Sequence, residues 1–353
     1  METCVSILNQ FVGGNIRVVK TEGQDVYLEN ELRDTEGTWF YWAFCVEGAQ
    51  GQTLTFHMEP TRLGYWGPAV SHDLRNWKWL DDCNGDSFTY RFAAGEKRVY
   101  FAHHMLYHPD RFFDFCQERE LEILTLCKSR KGRSVPCLCL GEGERSILLT
   151  ARHHACESTG SYVLEGVLEE LLSAPIPNTR LLVVPFVDYD GVVEGDQGKS
   201  RIPHDHNRDY IDEPIYPEVA SVLQYVSKHG CHYAFDFHSP WHKKGVNDTI
   251  FVVRNSEEKL DRFDRFSDAL AAEITEGSMA YEKKNDYPPH SGWNQPSPNC
   301  AFTMNKRSEC ELAFSLENAY FGTPDNKVSQ SRLIELGRCF ARAMKRFIME
   351  GRV

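Results

Sequence analysis

From Leu121 onward the chain is built of short apolar runs, near residues 121–127, 135–140, 146–150, 181–186, 233–237, 250–253 and 313–316, separated by longer stretches with helical periodicity. Runs that are apolar throughout, instead of alternating with polar residues, belong in a sheet covered on both faces. Their interleaving with helices implies an α/β layer structure. After Ser158, the stretch SYVLEGVLEELL puts Val163, Val167 and Leu171 on one helical face. A helix that Ser256 could cap presents Leu260, Phe263, Ser267 and Leu270, and a last helix over 332–349 presents Leu336, Phe340, Ala343 and Phe347. These stripes are core and carry no chemistry.

The first third reads differently. Between Thr38 and Phe101, aromatic-rich segments such as WFYWAFCVEG, QTLTFHM and KRVYFAHH are separated by Gly, Asn, Asp and Pro at hairpin intervals, which predicts an antiparallel β domain. The change of texture near 116–120 divides the 353 residues into a β domain over 1–118 and an α/β domain over 119–353. Acidic residues outnumber basic ones, 51 to 39, so the net charge of −12 argues against wholesale binding to nucleic acid or an anionic membrane. No apolar run reaches the ~18 residues of a membrane span. The N-terminal segment lacks a basic start followed by an apolar stretch, so no signal peptide is expected and a cytoplasmic location is the default. Twelve scattered cysteines without a CxxC pair read as reduced thiols, with Cys137 and Cys139 in a buried strand.

Three of the predicted strands end in metal ligands or acids. SILLTARHHACE carries His154 and Glu157 at H-x-x-E spacing, which lets an imidazole and a carboxylate converge on one cation. YAFDFHSPW delivers His238, with Asp236 two residues earlier as the acceptor that could fix a ligand imidazole. Two imidazoles and a carboxylate form a set used by catalytic zinc sites that keep a fourth position open. His153 and Cys156 have the same spacing and compete for the role. AFSLENAYFG places Glu317 at the end of an apolar run, where an acid beside an activated water can serve as general base. The polar segment DYDGVVEGDQGKSRIPHDHNRDY follows the strand LLVVPF and reads as a ligand-binding loop. In it, Arg208 can grip a carboxylate with two hydrogen bonds, Asn207 can add a donor, and Lys199 and Arg201 are further cations within reach.

The ordered series HxxE (His154, Glu157), DYDG (188–191), NR (Asn207, Arg208), DFHS (236–239) and SLE (315–317) resembles the zinc metallocarboxypeptidases over residues 119–353. The segments WFYWAF and VYFAHHMLYHP resemble the N-terminal domain of the cytosolic carboxypeptidase subfamily. The resemblance implies an α/β/α sandwich around a mixed sheet, preceded by a small antiparallel β-sandwich. It further implies one Zn2+ per chain on His154, Glu157 and His238, and Glu317 as general acid/base. Asn207 and Arg208 would hold the free α-carboxylate of a peptide or protein C-terminus. The family's carbonyl-polarising Arg has no direct counterpart; Lys199 is the choice over Arg201, which stays as a substrate-binding cation. The family's mobile Tyr maps to Tyr287 in preference to Tyr281, and Lys306 or Arg307, above all Arg307, could form a basic side-chain pocket. The reading that results is a zinc-dependent carboxypeptidase. Its alternatives are a zinc amidohydrolase acting on N-acyl amino acids and an inactive peptide-binding relative.

Overall fold

A computed structural model describes residues 5–350. Its centre is a seven-stranded mixed sheet in the order Leu124–Lys128, Ser134–Leu140, Thr179–Val184, Arg145–Ala151, Tyr233–His238, Leu312–Glu317 and Phe251–Val253. The middle four strands are parallel, and antiparallel strands close both sides. The strand Arg145–Ala151 has Thr179–Val184 on one side and Tyr233–His238 on the other. The chain therefore leaves it in one direction and later crosses to the opposite side, which opens a crevice at the carboxyl ends of these strands.

Helices cover both faces. Ser158–Ser173 and Leu260–Glu273 pack on the long helix Gln330–Glu350, whose Leu336, Phe340, Ala343 and Phe347 are buried as their spacing predicts. Leu260 departs from its expected stripe: it is exposed, and Phe266 joins Phe263 and Leu270 inside. Pro217–His229 and Cys300–Asn305 cover the other face. Cys139 is exposed, unlike its strand neighbour Cys137, and all eleven cysteines among the described residues are free thiols; Cys4 lies outside them. Among the described residues no helix is long and apolar enough to cross a membrane.

The closest helix contact depends on two glycines. A Cβ on Gly337 would stand 2.0 Å from the Val163 carbonyl oxygen, and one on Gly166 would stand 1.9 Å from that of Ile334. Both clashes are with backbone, which cannot rotate away. Gly337→Val is expected to destabilise the fold by about 3 kcal/mol, read as a lower midpoint in denaturant unfolding with unchanged slope.

The N-terminal part is a β-sandwich. One sheet runs Ser6–Leu8, Ala43–Glu47, Arg98–Ala102, Ala69–Ser71, Lys78–Trp79; the other runs Arg17–Glu22, Asp25–Glu29, Thr53–His57, Ser87–Arg91. All pairs are antiparallel except Asp25–Glu29 with Thr53–His57. Alternation along the strands sorts residues into two cores. Phe44, Val46, Val99 and Phe101 fill the sandwich, whereas Ala43, Cys45, Tyr100 and Ala102 point into the core shared with the α/β part. With apolar residues on both faces, the five-stranded sheet is a wall of the whole molecule. The helix Pro109–Glu118 links the two parts.

Candidate active site

The strand register assembles the site. His238 and Glu317 are the last residues of two neighbouring parallel strands and are direct partners across them. Arg145–Ala151 ends beside them, and the turn that follows is wrapped around Arg152, which is buried in a left-handed conformation (φ 61°). The Arg152 guanidinium donates to the carbonyls of Ala155 and Tyr107 and so holds the 153–157 turn against the sheet. Glu157 stands at the N-cap of Ser158–Ser173 but gives the helix no side-chain cap. Its carboxylate turns instead toward the sheet, with His154 Nδ1 2.8 Å from Oε1 and His238 Nδ1 2.7 Å from Oε2.

The donor atoms of His154, Glu157 and His238 lie within 4.8 Å of one another. Two imidazole nitrogens and a carboxylate on one point suit a divalent metal, and their chemistry fits zinc. The electrostatics fit as well. Burial opposes ionisation of Glu157, but Lys199, His154 and His238 outweigh it and hold the carboxyl well below its usual range. Burial likewise opposes protonation of His238, yet Asp236 and Glu157 raise its pKa well above normal.

Behind this cluster, Asp236 accepts from His238 Nε2 at 2.6 Å, from His153 Nδ1 at 2.9 Å and from Thr150 Oγ1 at 2.8 Å. This fixes the His238 ring with Nδ1 toward Glu157. The competing pair is engaged elsewhere. His153 uses both ring nitrogens, on Asp236 and Tyr210, and Cys156 faces the Tyr320 hydroxyl.

Glu317 is 7% exposed, and its Oε2 is buried with no hydrogen-bond partner among the described residues. Burial pushes its pKa up to about 7; the Glu157 carboxylate adds to this, against the pull of His238 and Lys199. Glu317 shares a cavity of about 440 Å³ with His154, Glu157, His238, Lys199, Asn207 and Arg208.

Asn207 and Arg208 lie in a single 3-10 turn, His206–Arg208, capped by Asp205, which accepts from the Asn207 amide. The Arg208 guanidinium donates only to the Asn207 carbonyl and has no carboxylate partner among the described residues. Lys199 Nζ is 2.5 Å from Glu157 Oε1 and 4.9 Å from the centroid of the Trp39 ring. Trp39 belongs to the β-sandwich part, which also anchors the Lys199 loop. Asp34 accepts from the backbone of Gln197 and Gly198 and from Arg201 Nε at 2.9–3.0 Å. Gly198 is required there: its φ is +74°, and a Cβ would stand 2.1 Å from the Ala155 nitrogen.

Three expectations from sequence are corrected. Arg201 does not reach this cavity, because Asp34, Asp188 and Asp196 surround its guanidinium at 2.7–3.0 Å and hold it to the side. Arg307 pairs with Glu309 at 2.6 Å near the opposite end of the Glu317 strand, and Lys306 lies over the Phe302 ring. Tyr287 is strapped to the edge strand, donating to the Val252 carbonyl and accepting from the Arg254 amide, and its ring stacks on Trp293. Trp293, not Tyr287, lines the cavity. Tyr281 is buried on Asp286. The polar 188–210 segment is also less irregular than expected, since Asp188 caps a short helix, Tyr189–Glu194.

The walls that sequence reasoning missed are Trp39, Trp241 and Trp293. Trp241 and Trp293 are exposed and Trp39 is half-buried, so none falls on a repeating core stripe, and only their convergence from distant segments reveals them.

Residues 7–104 match the model of the cytosolic carboxypeptidase N-terminal domain. An uncharacterised protein of Zymomonas mobilis is 28% identical over 304 residues, 79% of each chain. The cytosolic carboxypeptidase 2 of Macaca fascicularis is 28% identical over 224 residues, 50% of this chain and 26% of that protein, so the match spans about a quarter of that relative. Among solved structures, a metallo-carboxypeptidase from Burkholderia cenocepacia superposes with a TM-score of 0.82 at 18% identity, over 98% of this chain and 99% of that one. A metallo-carboxypeptidase from Pseudomonas aeruginosa, solved with (2-guanidinoethylmercapto)succinic acid, gives 0.80 at 21% identity, over 98% and 100%.

Proposed function

We propose that this chain, which has the fold of the metallo-carboxypeptidases and a cytosolic carboxypeptidase N-terminal domain, is a zinc-dependent carboxypeptidase that removes the last residue of peptides or proteins. One observation carries the reading. The buried, unpartnered Oε2 of Glu317 shares a cavity with the His154, Glu157 and His238 donors and with an Arg208 that lacks a carboxylate. We read residues 119–353 as the hydrolytic domain, residues 1–118 as the β-sandwich that forms one wall of the cleft, and the cytoplasm as its location.

His154, Glu157 and His238 would hold one zinc, which when bound supplies Lewis acidity, lowers the pKa of water toward ~7 and polarises the scissile carbonyl. Glu317 takes the proton from the attacking water and delivers it to the leaving amine. Its pKa of about 7 suits both directions of that transfer at neutral pH. Arg208 and Asn207 receive the terminal carboxylate and so measure distance from the chain end. Lys199, already beside Glu157, is the cation next to the developing oxyanion, with its ammonium packed under Trp39.

Paired peptides with free and amidated C-termini test this. The free acid should lose its last residue and the amide should stay intact, because only the acid offers Arg208 a carboxylate; mass spectrometry reads both. Equal cleavage of the two would remove the clamp. Turnover confined to N-acyl amino acids would replace the reading with the amidohydrolase one.

A further inference from the structure

The cavity has two chemically different ends. One holds every ionisable lining group: the three ligands, Glu317, Lys199, Asp205 and Arg208. The other is gathered beside Asn207, whose Oδ1 accepts from the Cys300 amide at the start of the helix Cys300–Asn305. Its walls include Val253, Asn255, Ser297, Asn299 and Ser315. Ser315 lies two residues before Glu317 on the same strand, so both side chains point to one face of the sheet. Ser315 is 9% exposed, and its hydroxyl makes no hydrogen bond among the described residues. Ser297 accepts from the Asn299 amide, which leaves its own hydroxyl proton free to donate.

Apart from Arg208, which the terminal carboxylate of the substrate takes, no cation among the described residues is available to this end. Arg254 is held by Asp264 and Asp286, Lys259 by the carbonyls of Asn305 and Cys310, Lys306 lies over Phe302, and Arg307 is held by Glu309. No carboxylate lines it either. A charged side chain entering here loses hydration and gains no counter-ion, whereas a neutral polar group finds hydroxyls and amides that both donate and accept.

We propose that this end receives the side chain of the residue being released, and that it selects an uncharged polar side chain of the amide or hydroxyl class over an acidic or basic one. The assignment rests on the carboxypeptidase reading of the same site.

The test uses three peptides identical except for a last residue of Gln, Glu or Lys. For the wild-type protein loaded with zinc, kcat/KM for Gln should exceed that for Glu and for Lys by roughly tenfold or more. Equal or faster turnover of the Glu or Lys peptide overturns the assignment. Calorimetric binding of the same peptides to the zinc-loaded Glu317→Gln variant separates the two readings. Tighter binding of the Gln peptide supports the pocket even if no peptide is cleaved, a result that would count against the hydrolytic reading alone; binding without that order counts against the pocket. In Ser315→Arg, a new cation should shift the Glu-to-Gln ratio of kcat/KM toward Glu by roughly tenfold.

Discussion

Replacing Glu317 by Gln is expected to lower kcat by about 10²–10⁴-fold while the protein continues to retain one metal per chain. The two side chains are nearly isosteric, so the strand Leu312–Glu317 and its pairing with Tyr233–His238 are undisturbed. The amide cannot accept the proton of the attacking water, and it is not a member of the His154, Glu157, His238 donor set. A stability measurement gives an independent reading. Burial raises the Glu317 pKa from its ordinary 4.5 to about 7, so the folded state binds more protons than the unfolded state between these values. Stability of the metal-free protein therefore falls as pH rises through that window. The Gln variant lacks that loss, and its thermal midpoint at pH 8 should exceed that of the metal-free wild type. A variant with normal kcat, or one whose midpoint falls below wild type at pH 8, would mean that Glu317 is an ordinary structural acid.

His238→Ala is expected to abolish metal retention: after brief dialysis against a weak chelator, zinc should fall from one per chain to less than ~0.1. Removing the ring deletes one of three donors and also frees Asp236 Oδ2 and Glu157 Oε2, each of which holds a His238 nitrogen. Two buried carboxylates are then left short of partners, so the loss should be accompanied by a lower thermal midpoint. His153→Ala is the comparison: it shares Asp236 but presents both nitrogens away from the cluster, and it should retain metal. Zinc at full stoichiometry in His238→Ala would exclude the proposed ligand set.

The convergence of His154, Glu157 and His238 was legible before any coordinates because these residues sit at or just beyond strand ends, where apolar runs stop abruptly at a His or an acid. HxxE after 146–150, His238 after 233–237 and Glu317 after 313–316 form one repeated pattern: a buried parallel strand that delivers a polar group to the carboxyl edge of the sheet. The Asn207–Arg208 pair was legible as chemistry without a position. The assignments of Arg201 and Arg307 failed for a shared reason. A cation's partner is set by whichever carboxylate lies nearest in space, and Asp34, 167 residues away along the chain, claims Arg201.

What the sequence by itself determined is the local grammar: which runs pair as strands, which stripes enter a core, and which side chains stand at strand termini, because periodicity and residue chemistry act over a few neighbours. What only the tertiary structure decided is the long-range arrangement: that a β-sandwich tryptophan covers Lys199, and that Arg208 lines the cavity with no carboxylate partner among the described residues. Ion pairing, desolvation and cavity walls depend on distances through space between segments far apart in the chain, and those distances exist only once the sheet has set its strand order and register.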